Sequence, residues 1–513
     1  MHSSSEFLKY ITQYIGYCST LISNDWLVEQ RPVGSDQEGD LAQLPIAKLQ
    51  ETTVAARERF AFYISFVASL GGFLFGYDLV SISGAQIFLR EQFALTPRQF
   101  GFATSSAILG CIAGPFLSAR ISDRLGRKAA LYIAAVLFAA GAVGSALATN
   151  IEIFNGFRIL GGVGVGLASL ASPMYIAEIA PPKRRGALGL MYQVAVTVGA
   201  LLATVVSYFM ARGLAPTLAW RWMFASVLIP VVAFSIMLIP IPASPRWLAE
   251  KQRFDEARAV LTRIVGVDEA HRELGEIIAS MEGEAGSVRE LFQPGLRAAL
   301  ATGLFLAMFN NWTGWTALGY YLPTLFQHAG FTNPSNALAQ NAIIMLGNVF
   351  LTLVAVALVD RVGRRRLWIG CSLAMCICLT IAGGLFQAHA TGELVVFAIF
   401  LCLVPHAVGL GPLPWLMMSE LYPTRIRAKA VSITTTLLWI AGFTSPFALP
   451  LMEARSEQAI HTVAGVFWTY ALISLCSLIW GWKYLPETRG RTLEEIASSW
   501  TKPTTKGQEI EGE

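Results

Sequence analysis

The sequence has little charge. Of its 513 residues, 14% are charged and 54% are hydrophobic, and the mean hydropathy is +0.53. A soluble globular domain usually carries about 25% charged residues, so this chain cannot surround its apolar residues with a polar surface. The composition excludes an ordinary water-soluble protein and indicates that lipid surrounds most of the chain. The net charge of +4 is small, and it gives no reason to expect a nucleic-acid partner.

The sequence also lacks the features of metal sites and enzymes. Its cysteine count is odd, and the spacing does not match that of zinc ligands. It contains no Walker loop, dinucleotide fingerprint or nucleophile–histidine pair. We therefore expect no disulfide, no metal, no cofactor and no enzymatic activity. The seven cysteines are Cys18, Cys111, Cys371, Cys376, Cys378, Cys402 and Cys476.

Long apolar runs are what the sequence does have. A spanning helix needs about 20 mostly apolar residues, and spans are helical because backbone groups in lipid must be hydrogen-bonded internally. Residues 1–55 lack a basic leader and a small-residue cleavage site, so we expect a disordered or peripheral tail there. We predict twelve spans, at 60–82, 99–119, 129–148, 152–175, 187–211, 221–241, 297–327, 339–360, 367–388, 395–420, 429–452 and 463–485.

Basic residues occur in every second loop between the predicted spans. Arg124, Lys183, Arg366 and Arg425 lie in four such loops, whereas the intervening segments NIEIF and QAHATGEL have no Lys or Arg. The positive-inside rule places basic loops in the cytoplasm, so we expect both termini there as well. Residues 247–295, between spans 6 and 7, have apolar residues at helical spacing, which predicts a cytoplasmic helical linker.

Three motifs occur twice, at nearly constant spacing. This indicates a duplicated unit of six spans, and two such halves around a central pathway are typical of secondary transporters. The pairs are DRLGRK at 123–128 with DRVGRR at 360–365, EIAPPKRR at 178–185 with ELYPTRIR at 420–427, and PASPR at 242–246 with PETRG at 486–490.

Together with GYD at 76–78, RILGGVGVG at 158–166 and GPLPW at 411–415, these motifs resemble the sugar porter family of the major facilitator superfamily from about Phe60 to Trp500. The early spans are similar to those of the bacterial xylose–proton symporter. The resemblance implies an all-α membrane protein with twelve transmembrane helices in two pseudo-symmetric six-helix bundles. The expected parts are the tail at 1–55, bundles at 56–246 and 296–487, the linker at 247–295 and a cytoplasmic tail at 488–513.

The resemblance further implies proton-coupled symport of a sugar or polyol by alternating access, in the cell membrane and by a monomer. In proton-coupled members the acid at the position of Asp78 carries the proton, and we pair it with Arg158 in span 4. A carboxylate inside a spanning helix costs about 2.5–3.5 kcal/mol, so it is kept where it is paired or lines a wet path. Burial opposes its charge and an arginine favours it. A static ion pair is the alternative.

Several residues correspond to the family's solute site. Side-chain amides both donate and accept hydrogen bonds, and aromatic rings cover the apolar faces of sugars. Span 7 departs from the family pattern, so a cyclic polyol or a hydroxylated organic acid is an alternative solute. Gln193, Tyr320, Tyr321, Asn348 and Trp415 match the family, whereas Asn310 and Asn311 replace glutamines, Thr316 replaces an asparagine and His406 replaces an aromatic residue. For His406 a packing role is the alternative.

The repeated turns imply a gate at the cytoplasmic end. In this family, ion pairs among them close that end when the cavity faces outward. Each exposed pair contributes about 0–1 kcal/mol, so we expect a network that breaks and re-forms. Ala119 in place of glycine and Ala243 in place of glutamate predict a looser network. The predicted gate residues are Asp123, Arg127, Glu178, Arg185, Asp360, Arg364, Glu420 and Arg427.

Other functions remain open at this point. Facilitated uniport would leave Asp78 with a structural role. A nutrient sensor on a transporter fold usually has a long cytoplasmic tail, which this chain does not have. The lack of a nucleotide-binding loop predicts transport driven by an ion gradient rather than by ATP.

Overall fold

The computed structural model describes residues 46–181, 184–281, 287–293 and 296–489. The contacts divide the chain into two units, Met1–Phe60 and Ala61–Glu513, and every contact given below lies within the second unit. Most of the two predicted tails, at 1–45 and 490–513, is outside the described residues. Within the described ranges every regular element is a helix.

The helices follow the predicted spans. Among the described residues, eleven helices are long and apolar enough to cross a membrane. The remaining span, span 7, consists of two shorter helices. Spans 1 to 5 are Ile46–Gln92, Pro97–Leu125, Arg127–Leu147, Ile151–Ile179 and Arg185–Gly213, and span 6 is Pro216–Ala225 with Leu228–Met237. Span 7 is Leu296–Trp312 with Trp315–His328, spans 8 and 9 are Pro334–Val362 and Arg364–Gln387, and span 10 is Glu393–Pro405 with Pro412–Glu420. Spans 11 and 12 are Thr424–Ile460 and Ala464–Tyr484.

The break in span 7 is centred on Thr313 and Gly314. Gly314 has a φ of +109°, a conformation that side chains other than glycine rarely adopt. A Cβ at this position would also lie 2.9 Å from the Cβ of Tyr470. The freed carbonyl of Thr313 accepts a hydrogen bond from the Ser474 hydroxyl at 3.2 Å. Span 12 therefore supports the break, which the sequence analysis did not predict.

Span 10 is interrupted as well. Residues His406–Leu410 form a π-helical turn between Pro405 and Pro412. Proline has no backbone N–H and cannot continue the regular hydrogen-bond pattern, and π turns inside α-helices often occur at functional sites. The turn leaves backbone carbonyls available to other spans.

Small residues bring spans 2 and 4 into backbone contact. A Cβ on Gly114 would overlap the backbone of Gly166, and a Cβ on Gly162 would overlap the carbonyl of Ala107. Helices in membranes associate through such close packing because lipid provides no hydrophobic drive between them. The first half is therefore held together at its centre by glycines.

The linker is helical, as predicted. Its helices are Pro245–Glu250, Phe254–Val265 and Val267–Met281, followed by a short 3₁₀ turn at Val288–Phe292. Leu248, Leu261 and Leu274 are buried together and form a small apolar cluster. Charged residues cover the other faces, so these helices have the amphipathic pattern of helices in contact with water.

Candidate transport site

Asp78 and Arg158 form a buried ion pair in the first half. The Arg158 Nη1 donates to Asp78 Oδ1 at 2.9 Å, and Nη2 donates to the Asp78 backbone carbonyl at 3.2 Å. Each residue is 1% exposed. The pairing predicted from the sequence is thus present in the structure, while the role of the pair in proton coupling stays a prediction.

The surroundings of this pair are mostly apolar. The Arg158 guanidinium lies 5.1 Å from the centre of the Phe224 ring, and a cation over an aromatic face is favourable when it is desolvated. Within the described part of the chain, Asp78 Oδ2 and Arg158 Nε have no hydrogen-bond partner. The carboxylate thus has one oxygen that accepts from the arginine and one oxygen without a partner among the described residues.

The side-chain amides of the two asparagines of span 7 donate hydrogen bonds to backbone carbonyls of other spans. Asn310 Nδ2 donates to the carbonyls of Leu410 and Gly411 at 2.9 and 3.0 Å, next to the π turn of span 10. Asn311 Nδ2 donates to the carbonyl of Leu438 at 3.0 Å in span 11. The amide nitrogens of these residues therefore bind neighbouring spans in this state, which leaves the amide oxygens as their possible solute contacts.

Aromatic side chains gather beside these asparagines. The rings of Trp315 and His406 are 6.3 Å apart, and those of Trp415 and Trp439 are 6.4 Å apart. Phe75 of span 1 contacts Trp439 with ring centres 5.8 Å apart, so the cluster joins the two halves. His406 Nδ1 has no partner among the described residues. These ring pairs provide aromatic surface and one imidazole on spans 1, 7, 10 and 11.

The other predicted solute residues are placed differently. Gln193 is exposed, and Asn348 and Thr316 are half-buried. Tyr321 is fully buried, and its hydroxyl donates to the carbonyl of Pro446 at 3.1 Å. Its contact is with span 11 rather than with an open cleft. Tyr320 is half-buried, and its backbone carbonyl rather than its ring makes the contact described next.

The two halves meet at the end opposite to the basic loops. Gln86 Nε2 of span 1 donates to the Tyr320 carbonyl at 2.8 Å. Phe100 of span 2 packs against Tyr321 with ring centres 5.4 Å apart. Gly101 lies so close to span 11 that a Cβ there would overlap the carbonyl of Phe447. These contacts close the opposite end.

At the basic end, the repeated motifs form equivalent clusters, one in each half. Arg127 pairs with Glu178 at 2.8 Å, and the other oxygen of Glu178 accepts from the Ser244 hydroxyl. In the second half Arg364 pairs with Glu420 at 3.1 Å, and Glu420 accepts from the Thr488 hydroxyl at 2.7 Å. Each pair lies within one half, and no ion pair among the described side chains joins the two halves at this end. Ser244 and Thr488 are members that the sequence analysis missed, although both belong to the repeated PASPR and PETRG motifs.

The clusters differ at one position. Glu487 accepts hydrogen bonds from the backbone N–H groups of Arg364 and Arg365, at 2.9 and 3.2 Å, at the start of span 9. The equivalent residue in the first half is Ala243, which has no acceptor for the start of span 3. Residues at a helix N-terminus have unsatisfied N–H groups, and a carboxylate there is stabilising. The departure noted in the sequence therefore removes a helix cap.

The remaining gate residues are only partly described. Asp123 is exposed, and its backbone carbonyl accepts from Trp247 Nε1 at 3.3 Å. Arg427 Nε donates to the carbonyl of Tyr422 at 3.2 Å. The side chains of Arg185 and Asp360 lie outside the described part of the structure, so their predicted roles stay predictions.

Comparison of the sequence with known families and proteins gives consistent matches. A sequence model of the family described as "Sugar (and other) transporter" matches residues 64–500. The arabinose-proton symporter of Bacillus subtilis is 36% identical over 449 residues, which are 86% of this chain and 96% of that protein. The D-xylose-proton symporter of Escherichia coli is 35% identical over 482 residues, covering 88% of this chain and 98% of that protein.

Solved structures match over a similar range. The xylose transporter XylE from E. coli in an inward open conformation has a TM-score of 0.76 at 34% identity, covering 86% of this chain and all of that one. XylE bound to 6-bromo-6-deoxy-D-glucose has a TM-score of 0.71 at 34% identity, covering 86% and 99%.

Proposed function

Because the chain belongs to the sugar transporter family of the major facilitator superfamily, we propose that it is a proton-coupled symporter of a sugar or polyol. The family and the twelve-helix fold predicted from the sequence motifs are confirmed. Relatives named as arabinose-, D-xylose- and galactose-proton symporters support the proposal. The observation that carries it is the buried pair of Asp78 and Arg158, because a carboxylate inside a spanning helix is costly to bury and such residues mark proton relays and substrate pathways.

The geometry of this pair suggests how a proton is carried. Asp78 Oδ1 is bonded to Arg158, while Oδ2 has no partner among the described residues. A proton on Oδ2 neutralises the carboxylate and weakens its attraction to the guanidinium, which connects spans 1 and 4. Asp78 thus has two states, charged and bound to Arg158 or neutral and released. Alternating access would couple these states to the movement of the halves.

The solute would bind in the central cleft between the halves. The aromatic cluster at Trp415 and Trp439 covers apolar ring faces, and the amide of Gln193 and the oxygens of Asn310 and Asn311 bind hydroxyls. His406 Nδ1, which has no partner among the described residues, adds a hydrogen-bond donor or acceptor. Because the asparagine nitrogens are bonded to backbone in this state, the site has fewer free donors than two glutamines would supply.

The positive-inside rule supports the basic end as cytoplasmic, with both tails and the linker on that side of the cell membrane. The opposite, closed end is then the outer end, and the described state is open to the cytoplasm. We propose the domain boundaries that the sequence predicts, with the two six-helix bundles at 56–246 and 296–487. The cleft lies between two halves of one chain, so a monomer suffices for transport, and no step requires catalysis.

The experiment is transport by the purified protein in proteoliposomes, with arabinose, D-xylose and galactose as solutes. Asp78→Asn keeps the size of the side chain and removes the proton site, so exchange of labelled sugar should continue while accumulation driven by a pH gradient is lost. Glu152→Gln, at the exposed first turn of span 4, is the matched control and should accumulate sugar normally. Undiminished accumulation by Asp78→Asn would contradict proton coupling at this residue.

Uniport is the second candidate. It is favoured by the near-complete burial of Asp78 and Arg158, which also suits a static ion pair. A protonophore distinguishes the two, because it abolishes accumulation by a symporter and leaves downhill uniport unchanged.

A hydroxylated organic acid is an alternative solute, and His406 Nδ1, which is unpartnered among the described residues, favours it. Competition between hydroxy acids and labelled sugar for uptake tests that possibility.

A further inference from the structure

Among the residues that the structure describes, three buried polar atoms near the outer end lack a hydrogen-bond partner. Gln86 of span 1, Asn341 of span 8 and Thr324 of the second helix of span 7 are 1%, 0% and 5% exposed. Gln86 Oε1, Asn341 Oδ1 and Thr324 Oγ1 make no hydrogen bond to any residue that the structure describes. Buried polar atoms nearly always have a partner, so these atoms are suited to a ligand that binds in another state of the protein.

The amide nitrogens of Gln86 and Asn341 do make hydrogen bonds, and these bonds show where the two side chains lie. Gln86 Nε2 donates to the Tyr320 carbonyl at 2.8 Å, and Asn341 Nδ2 donates to the Ser83 hydroxyl at 3.4 Å. Both bonds connect one half to the other. Ser83 and Gln86 are three residues apart and therefore lie on the same face of span 1. The two amides thus belong to one seam between the halves.

Thr324 is tied to the same seam through Tyr320. A threonine hydroxyl in a helix often bonds to the carbonyl four residues earlier, which for Thr324 is that of Tyr320. Here this carbonyl accepts from Gln86, and the Thr324 hydroxyl has no partner within the described ranges. Separation of Gln86 from Tyr320 would change the surroundings of all three polar groups.

A cavity of about 450 Å³ lies on the outer side of this seam. Arg90 and Thr324 line it, and each follows a seam residue by one helical turn, Arg90 after Gln86 and Thr324 after Tyr320. The bond between Gln86 and Tyr320 therefore lies about one helical turn inward of these two lining residues. A solute that enters from outside reaches these amides before it reaches the aromatic cluster.

We propose that Gln86, Asn341 and Thr324 form an outer subsite, which binds hydroxyls of the incoming sugar or polyol when the halves separate at the outer end. The inference rests on the proposed function and extends it to residues outside the central cleft. Separation breaks the bonds of Gln86 and Asn341 across the seam, so each amide offers a donor and an acceptor, and hydroxyls match both. The subsite is uncharged at its three binding groups and therefore favours a neutral polyhydroxylated solute.

The test needs protein that is held open at the outer end. Gly101→Trp serves this purpose because a side chain there cannot fit against Phe447 when the end is closed. In this background, calorimetry measures the Kd for D-xylose, arabinose and galactose. Gln86→Leu and Asn341→Leu should each raise the Kd about fivefold, the change expected from loss of one neutral hydrogen bond. Gln340→Leu, on the same helix as Asn341, is the matched control and should stay within twofold.

Deoxy sugars distinguish binding from a change in packing. Gln86→Leu should bind the analogue that lacks the hydroxyl contacted by Gln86 as tightly as it binds the parent sugar. For the other deoxy analogues, the ratio of the Kd to that of the parent sugar should be the same with and without Gln86→Leu. An unchanged Kd in both leucine variants would overturn the subsite, and so would an equal loss for every analogue. Thermal unfolding of each variant verifies that it is folded. If neither the wild type nor Gly101→Trp binds any of the three sugars, the proposed function itself fails, whereas failure of the leucine variants alone refutes only the subsite.

Discussion

Glu487 gives span 9 a helix cap that span 3 lacks, and the duplication makes this difference measurable within one molecule. Glu487→Ala removes the acceptor of the N–H groups of Arg364 and Arg365. Ala243→Glu introduces the carboxylate at the equivalent position in the first half, where the N–H groups of Arg127 and Lys128 begin span 3. The two substitutions should therefore have opposite effects at the two helix starts.

The size of the effect follows from the contacts. The Glu487 carboxylate accepts from the two N–H groups at 2.9 and 3.2 Å and is half-buried. Loss of an N-terminal cap costs about 0.5–2 kcal/mol, and a carboxylate near a helix N-terminus adds about 0.3–1 kcal/mol when exposed. We therefore expect a local change of about 1–2 kcal/mol, which corresponds to about a 5- to 30-fold change in an opening equilibrium.

Hydrogen–deuterium exchange read by mass spectrometry reports such local opening. In the wild type, the first amides of span 9 should exchange about 5- to 30-fold more slowly than those of span 3, after correction for intrinsic rates. Glu487→Ala should remove this protection, and Ala243→Glu should create it at span 3. Glu487→Gln retains a neutral acceptor and should give an intermediate value. Equal exchange at the two helix starts in the wild type, or no change in Glu487→Ala, would refute the reasoning.

Three further predictions concern packing and pH. Gly114→Leu should abolish the folded protein in size-exclusion chromatography because span 4 leaves no room there, whereas Gly156→Leu, with open space around it, should be tolerated. Asn310→Ala leaves buried carbonyls of span 10 without their donor, at about 1–3 kcal/mol, and should lower the unfolding temperature. His328 is the last residue of the second helix of span 7 and lies one residue beyond the apolar stretch predicted at 297–327. Its hydrogen bond to Glu453 raises its pKa above the usual 6.5. The bond therefore stabilises fully below about pH 6.5 and weakens as pH rises through the raised pKa, so His328→Asn should lower the unfolding temperature at pH 6 and have little effect at high pH.

The sequence was sufficient to predict the features that depend on one strong physical requirement rather than on the detailed packing of neighbouring spans. Apolar length fixes the spans, since lipid accepts only helices with satisfied backbone groups. The pairing of Asp78 with Arg158 was predictable because two opposite charges buried in one half have few other ways to be neutralised. The helical linker followed from spacing alone. In each case one strong physical demand leaves a single solution.

The features that the sequence did not predict depend on neighbouring spans. Span 11 was predicted at 429–452 and runs over Thr424–Ile460, because a helix continues beyond the apolar stretch that defines it. The break at Gly314 depends on Tyr470 and Ser474 of span 12. The direction of the Asn310 amide depends on carbonyls that the π turn of span 10 sets free. A side chain one methylene shorter than glutamine reaches this backbone, and composition alone does not reveal that.

The glycine contact between spans 2 and 4 has a mechanical consequence. Where two backbones touch, neither helix can slide or roll without a collision, and no flexible side chain is present to absorb the movement. Spans 2 and 4 therefore move together as one rigid unit. Any movement of these two spans during transport must then be a movement of both together, and spectroscopic labels placed on spans 2 and 4 would keep a constant separation throughout turnover.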